Sequence, residues 1–269
     1  MKKNETTYCK DISFLPYKYE KEKMKKNILA VFVAIISITG FGQQKVNNTT
    51  NKFADLTGTI GASQGSIAAS YVNNWKFGFG KKKNWEAGIG ARLTSSFGSK
   101  LEYTTAGPAK YTRTGTTPFL IFFAGQRTEN WDTLTLQRPF ANALNITANF
   151  GYNFSTKWSG GFNIDLIGAS FGRKSPAVFL SNGNTSNEPS AKPTPFNILL
   201  TGDHDRGSLN SEFFVKYNLN KKWAFRGVYQ FLFTEQTTEN VKQLLPDGSY
   251  NNRFRNKANN FGIGVSYQL

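Results

Sequence analysis

Hydrophobic and polar residues alternate one by one along most of this chain. In the stretch WEAGIGARLTSSF (85–97), the odd positions include Trp85, Ile89, Leu93 and Phe97, and the even positions are small or polar. A period of two marks β-strands that have one apolar and one polar face. Eight strands are predicted, over residues 53–62, 67–80, 85–97, 144–154, 158–171, 209–219, 223–234 and 254–269.

Short basic turns and long polar connections join these strands. Three tight turns are rich in Lys and Asn, and each is followed at once by a tryptophan: Trp85, Trp158 or Trp223. The long connections cover roughly residues 98–142, 173–207 and 237–253. Short turns at one end and long loops at the other are typical of an up-and-down meander. An even number of strands places both ends of the sheet on the short-turn side.

The polar faces are small and mixed, whereas the apolar faces carry aromatic residues near the strand ends. A soluble sandwich would bury its apolar faces, but aromatic girdles around an apolar exterior are typical of a transmembrane barrel. Closure also leaves no unpaired backbone in lipid. We therefore predict an all-β fold, a closed antiparallel up-and-down transmembrane β-barrel of eight strands over residues 53–269. Trp85, Trp158 and Trp223 are predicted to form its periplasmic aromatic girdle.

Charged residues on the polar faces predict a filled lumen. Eight strands enclose a space that side chains can fill, and unpaired charges in so narrow a space are costly. The sequence therefore predicts a salt-bridged plug and no wide channel. Its predicted members are Lys76, Glu86, Arg92, Asp165, Glu212, Lys216 and Arg226.

The N-terminal region has the pattern of a secretory signal. A basic opening at 24–27 precedes an apolar run at 28–39, and Gly40 and Gly42 supply the small residues of a cleavage site. We expect a signal peptide at 24–42, an extra or mis-assigned extension at 1–23, and a periplasmic segment at 43–52. An uncleaved membrane anchor is the alternative. Cys9 is the single cysteine and precedes the signal, so the exported chain would have no thiol chemistry.

The chain is basic, with a formal net charge of +16. The lysines of the tight turns all fall at one end of the predicted barrel, where lipid phosphates or water would contact them. They are not clustered on a recognition element, so no nucleic-acid partner is expected. These lysines are Lys81, Lys82, Lys83, Lys157, Lys221 and Lys222.

The architecture resembles the Gram-negative outer-membrane β-barrel superfamily, particularly its small eight-stranded barrels of the outer-membrane-protein-A-like and porin-like type. The likeness covers residues 53–269 and includes a C-terminal assembly signal, to which Gly264, Tyr267 and Leu269 correspond. Gly262 replaces the usual polar residue of that signal, and Leu269 stands where Phe is commoner. The resemblance implies an outer-membrane location, recognition by the barrel-assembly machinery, and contact with outer-membrane lipid and lipopolysaccharide. It implies no particular task.

Two short motifs have both a chemical and a structural interpretation. Residues 61–65 fit G-x-S-x-G, but a strand follows Ser63 where a hydrolase needs a helix, so a hairpin turn is favoured. Residues 202–207 place His204 between two aspartates, either as the start of a calcium loop or as a polar turn. The turn is favoured because the glycine and glutamate of a calcium loop are missing from their positions.

The apolar run at 118–124, inside a connection predicted to face outward, has three interpretations. It forms a loop hairpin over the barrel mouth, an exposed binding patch, or part of an extra membrane hairpin (117–126 and 131–137) that raises the strand number to ten. Taken together, the sequence predicts a structural or surface-interaction protein that is not an enzyme, with no cofactor, metal site or catalytic residue. A narrow porin and a membrane-embedded hydrolase using Ser63 are the alternatives.

Overall fold

The computed structural model describes residues 50–78, 83–117, 124–200 and 205–269. Fifteen strands account for most of these residues, so the prediction of an all-β fold is confirmed. The strands are β1 (Thr50–Gly61), β2 (Gln64–Phe77), β3 (Trp85–Gly98), β4 (Lys100–Thr105), β5 (Thr133–Gln137), β6 (Phe140–Asn153), β7 (Trp158–Gly172), β8 (Ser175–Ser181), β9 (Asn184–Pro193), β10 (Phe196–Ile198), β11 (Leu209–Asn218), β12 (Trp223–Thr237), β13 (Gln243–Leu244), β14 (Tyr250–Asn251) and β15 (Arg253–Gln268). One helical turn, α1 (Ala109–Thr112), and one 3-10 turn (Thr128–Asn130) precede β5. None of the helices in the described residues is long and apolar enough to cross a membrane.

Eight strands pair antiparallel in an unbroken cycle, which we call the eight-strand ring. The order of pairing is β1-β2-β3-β6-β7-β11-β12-β15, and β15 pairs with β1 from Phe53↔Gln268 to Ile60↔Phe261. These strands correspond one by one to the eight predicted segments. The largest displacement of a boundary is at β6, which begins at Phe140 and not at 144.

The outward face of this ring carries mostly large apolar residues, whereas its inward face carries the buried polar and charged residues together with a few apolar ones such as Phe53 and Val228. Ile263, Ile60 and Phe261 are 79%, 76% and 67% exposed, whereas Asp165 and Gln230 are fully buried. Both Leu166 and Ile167 are exposed because a β-bulge between β6 and β7 adds one residue to β7, and this bulge keeps Asp165 inside.

Four further strands form a second cycle above the first, which we call the six-strand ring. It follows the order β12-β9-β8-β5-β4-β15, so it shares β12 and β15 with the eight-strand ring. β9 and β4 take the places beside β12 and β15 that β11 and β1 occupy lower down. We call this end of the molecule the cap end, and the opposite end, where the β2–β3, β6–β7 and β11–β12 connections lie, the tight-turn end.

Three expectations about the long connections need correction. They contain β4, β5, β8, β9 and β10, together with the small hairpin β13–β14, so the total of eight strands was too low. β5 (Thr133–Gln137) pairs with β4 and β8, so it adds no strand to the eight-strand ring and the ten-strand alternative was wrong. Alternating Leu, Tyr and Phe residues in these segments are buried, so the connections are not simply polar loops.

Several predicted segments lie outside the described residues. These are the signal peptide at 24–42, the extension at 1–23, most of the segment at 43–52, Lys81 and Lys82 of the first tight turn, residues 118–123 of the apolar run, and residues 202–204 with His204.

Candidate functional site

The centre of the eight-strand ring holds a chain of alternating charges, which we call the central ion-pair chain. It consists of Asp165, Arg92, Glu212, Arg226 and Asp55. Arg92 contacts Asp165 at 2.6 Å and Glu212 at 3.4 Å, while Arg226 contacts Glu212 at 3.4 Å and also pairs with Asp55. All five side chains are at most 3% exposed. One carboxylate therefore bridges two guanidinium groups, and each guanidinium has a second carboxylate of its own.

Polar neighbours satisfy the carboxylates of this chain. Asp165 accepts hydrogen bonds from the Asn145 side chain at 2.6 Å and from the Asn210 backbone N–H at 2.9 Å. Asn210 Nδ2 donates to Glu212 at 3.2 Å, and Ser266 Oγ donates to Asp55. Buried charges are stable only when they are paired and hydrogen-bonded, and this arrangement meets both conditions for the carboxylates.

A second charged group lies nearer the tight-turn end. Glu86 accepts hydrogen bonds from Asn153 at 2.9 Å, Asn51 at 3.1 Å and Asn74 at 3.3 Å, and its distance to Lys76 Nζ is 3.9 Å. Lys216 Nζ lies 3.8 Å from the centroid of the Phe53 ring. Several of these residues line a cavity of about 400 Å³ that also includes Lys157, Lys221 and Lys222.

On the other side of the central ion-pair chain, the next layer of described lumen residues is uncharged. Gln230 Oε1 accepts hydrogen bonds from Thr59 at 2.7 Å, Asn260 at 2.8 Å and Ser66 at 3.0 Å, and all four residues are buried. Beyond them lies an apolar core inside the six-strand ring. It contains Leu101, Tyr103, Leu134, Leu136, Ala177, Phe179, Ala191 and Phe254. The described lumen is thus a cavity at one end, charges in the middle and an apolar cap at the other end.

At the cap end, the carboxylate of Glu188 on β9 binds the backbone of residues 239–241. Its Oε2 accepts the backbone N–H groups of Asn240 (2.8 Å), Val241 (3.0 Å) and Glu239 (3.2 Å), and its Oε1 accepts three more bonds from Ser190 and Asn240. Burial raises the pKa of Glu188, but these donors outweigh burial and hold the pKa below its usual value. Nearby, hydrogen bonds from Lys192, Ser190 and Lys174 lower the pKa of exposed Glu239 to about 2.

Of the seven charged residues predicted for the lumen, four belong to the central ion-pair chain: Arg92, Asp165, Glu212 and Arg226. Lys76 and Glu86 face each other at the tight-turn end, and Lys216 stacks on an aromatic ring with no salt bridge to another described residue. Asp55 was missed. It lies on the same inward face of β1 as Phe53, Thr57 and Thr59, so strand parity alone would have identified it.

The three predicted girdle tryptophans lie on the outer face at the tight-turn end. Each packs against a tyrosine of an adjacent strand: Trp85 with Tyr152 (4.5 Å between ring centroids), Trp158 with Tyr217 (4.8 Å) and Trp223 with Tyr267 (4.8 Å). Tyr267 of the proposed assembly signal therefore also belongs to this aromatic belt.

The other two residues of that signal have structural partners as well. A side chain at Gly264 would place its Cβ 2.6 Å from the Leu56 carbonyl oxygen, so lumen packing by itself requires glycine there. The Leu269 N–H donates to the Lys52 carbonyl at 2.9 Å, and its side chain is 61% exposed.

The G-x-S-x-G motif takes the structural form that the sequence favoured, whereas residues 202–204 of the second motif lie outside the described residues. Ser63 lies in the β1–β2 hairpin turn with a φ of 61°, and β2 follows it. Asp205 Oδ1 accepts the Leu200 N–H at 2.6 Å. Burial raises the pKa of the Asp205 carboxyl above its usual value.

No protein-family model matches this chain, and no curated protein matches it. Solved structures that are similar over 82% of this chain include Ail, the attachment invasion locus protein of Yersinia pestis (8% identity, 98% of that chain, TM-score 0.31). Neisserial surface protein A is 10% identical over 96% of its chain, with a TM-score of 0.28. A major outer membrane protein of Thermus thermophilus is 10% identical over its full length, with a TM-score of 0.26. Scores this low establish no shared fold.

Proposed function

We propose that this chain is an integral outer-membrane β-barrel protein with a filled, salt-bridged lumen and a structural or surface-interaction role. The observation that carries the proposal is the inverted polarity of a cyclic sheet. Its outer face exposes large apolar side chains on all eight strands, while buried charges fill its interior. Soluble monomers rarely expose apolar patches larger than a few hundred Å², whereas a barrel in lipid requires this arrangement.

The height of the apolar face supports the same proposal. On β12 the outward residues run from Trp223 through Phe225, Tyr229 and Phe231 to Phe233, and Glu235 comes next. The ten steps from Trp223 to Phe233, at about 3.3 Å each and tilted by about 40°, rise about 25 Å. This is the height of the apolar band of an outer-membrane barrel. We place the tight-turn end in the periplasm and the cap end outside the cell.

The proposal includes export by the signal peptide at 24–42 and insertion by the barrel-assembly machinery, with Gly264, Tyr267 and Leu269 as its recognition signal. Outer-membrane lipid and lipopolysaccharide would surround the apolar face. Since the six-strand ring is the part that projects outside, contacts with other molecules at the cell surface would be made through it.

Membrane fractionation combined with heat-modifiability on a gel tests the proposal. The chain should sediment with the outer membrane, resist extraction by carbonate, and migrate faster when unheated than after boiling. A chain recovered from the soluble periplasm would refute the proposal.

A narrow porin is the second candidate, and the cavity of about 400 Å³ at the tight-turn end favours it. The central ion-pair chain and the apolar core lie between this cavity and the cap end. Planar-bilayer recording separates the two candidates, because a filled lumen predicts no stable conductance. A large, steady conductance from the purified protein would favour the porin.

A further inference from the structure

A cleft of about 440 Å³ lies on the outer side of the eight-strand ring, at its cap end. One wall consists of outward residues of β12 and β15, including Phe233, Arg255 and Lys257. The other wall is formed by described residues that lie between β4 and β5, including Arg113 and Trp131. The central ion-pair chain takes no part in this cleft.

Cations outnumber carboxylates in the cleft. Arg113, Arg255 and Lys257 line it, and Asp205 is the single lining carboxylate among the described residues. Arg255 Nη2 lies 2.7 Å from Glu235, a buried carboxylate that does not line the cleft. The salt bridges of the described residues do not include Lys257, whose Nζ lies 5.7 Å from the Phe233 ring centroid. Burial, followed by the charge of Arg255, lowers the pKa of Arg113 below its usual value.

Two buried hydrogen-bond donors of lining residues lack an acceptor in the described part of the chain. They are Nε of Arg255 and Nε1 of Trp131. A buried donor without an acceptor is costly. Both atoms are shielded from solvent and therefore do not open onto the cleft. The surplus of positive charge on the lining residues is what calls for an anionic ligand with several acceptor oxygens, such as a phosphate.

The position of the cleft suggests where that anion comes from. Lys257 pairs with Phe233, the last aromatic residue of the apolar face on β12. The cations of the cleft therefore lie about 25 Å above the aromatic belt, at the level of lipid headgroups. Phe231 and Phe233 pack edge to face below them, with ring centroids 4.7 Å apart, so the cleft is apolar toward the membrane centre and cationic toward the headgroups.

We infer that this cleft binds the phosphate group of an outer-leaflet lipid headgroup. The inference rests on the proposed function, because the headgroup level exists only if the eight-strand ring spans the membrane. Arg113, Arg255 and Lys257 would hold the phosphate.

Titration of the folded, full-length protein in a neutral detergent tests this inference. The probes are bisphosphorylated lipid A, the same lipid with both phosphates removed, and inorganic phosphate alone. We expect the bisphosphorylated lipid to bind most tightly. Removing one cation by Lys257→Gln should weaken its binding about fivefold, and Lys257→Gln with Arg113→Gln about 25-fold. Lys100→Gln is the matched control, because it removes a cation at the cap end outside the cleft, and it should change binding by less than about twofold.

Each outcome decides the inference. Equal binding of the lipid with and without phosphates overturns it, as does loss of binding that is the same in Lys100→Gln. Inorganic phosphate that binds as tightly as the lipid would assign the cleft to a soluble anion and overturn the lipid source. Heat-modifiability of each variant shows whether it is folded. Because Lys257 is exposed, we expect Lys257→Gln to fold, and this single variant decides the test if the double variant misfolds. A protein that inserts in the outer membrane without distinguishing the lipids refutes this inference alone, whereas failure to insert refutes the proposed function.

Discussion

Removing Arg92 from the central ion-pair chain should be among the most destabilising single changes in this protein. Its guanidinium contacts Asp165 and Glu212, and both the arginine and Asp165 are about 1% exposed. Arg92→Met keeps most of the side-chain volume but leaves Asp165 buried without a cation. Breaking a buried pair in this way costs about 3–5 kcal/mol. Glu212 is less affected because Arg226 still contacts it at 3.4 Å.

A second substitution shows whether the uncompensated charge is the cause. Asp165→Asn added to Arg92→Met removes the orphaned carboxylate and keeps an acceptor for the Asn145 and Asn210 donors. Since a neutral replacement of a whole buried pair is often close to neutral, the double variant should recover at least about 1.5 kcal/mol of the loss.

The assay is urea unfolding of the protein folded in lipid vesicles, followed by heat-modifiability on gels. Lys100→Met serves as the control, because Lys100 is exposed on β4 and its loss should leave the midpoint unchanged. Two results would show that these charges do not hold the lumen together. One is a free energy of unfolding for Arg92→Met within about 0.5 kcal/mol of that of the natural protein. The other is a double variant that is no more stable than the single one.

Three other changes test separate parts of the molecule. Glu188→Gln should free the segment around Val241, so trypsin should cut the intact protein there, and equal resistance of variant and natural protein to trypsin at neutral pH would contradict this. Because the pKa of Glu188 is lowered in the folded state, the natural protein should lose the same contact as the pH falls below the usual glutamate range. Tyr267→Asp should impair insertion in cells far more than Tyr250→Asp, which alters a 70% exposed residue of the cap. Pulse-chase fractionation measures the insertion of both variants, and equal insertion would contradict the prediction. Gly264→Val should prevent stable closure because its Cβ would lie 2.6 Å from a Leu56 oxygen, so a variant with normal heat-modifiability would show that the wall can adjust.

The eight-strand ring was predictable because each of its strands has opposite surroundings on its two faces. Side chains alternate between an exposed apolar exterior and a crowded lumen, so the period of two is strong over 10 to 16 residues per strand, as in β11 and β15. The six-strand ring uses strands as short as β5, with five residues, where alternation is hard to distinguish from a loop. One local signal was available there: Asn182-Gly183 has φ values of 48° and 79°, and Asn-Gly between alternating segments indicates a two-residue hairpin.

The central ion-pair chain could be predicted only in part. Parity identifies which charges face inward, and the structure has Arg92, Asp165, Glu212 and Arg226 in the central ion-pair chain. Which carboxylate each arginine selects depends on the stagger of strands that are far apart in sequence, such as β1 and β12, and a single sequence does not encode that stagger locally. The cleft at Lys257 escaped detection for the same reason, since its walls come from β15 and from a segment more than a hundred residues earlier.

Because β12 and β15 belong to both rings, β15 closes the eight-strand ring and the six-strand ring at once. Until Arg253–Gln268 is in place, β1, β4 and β12 each keep a free edge, since all three pair with it. A chain that stops before β15 would thus be prone to aggregation, because strands of both rings would keep free edges. The two rings therefore cannot close separately, because both need β15, and a complete six-strand ring implies that β15 has already paired with β12.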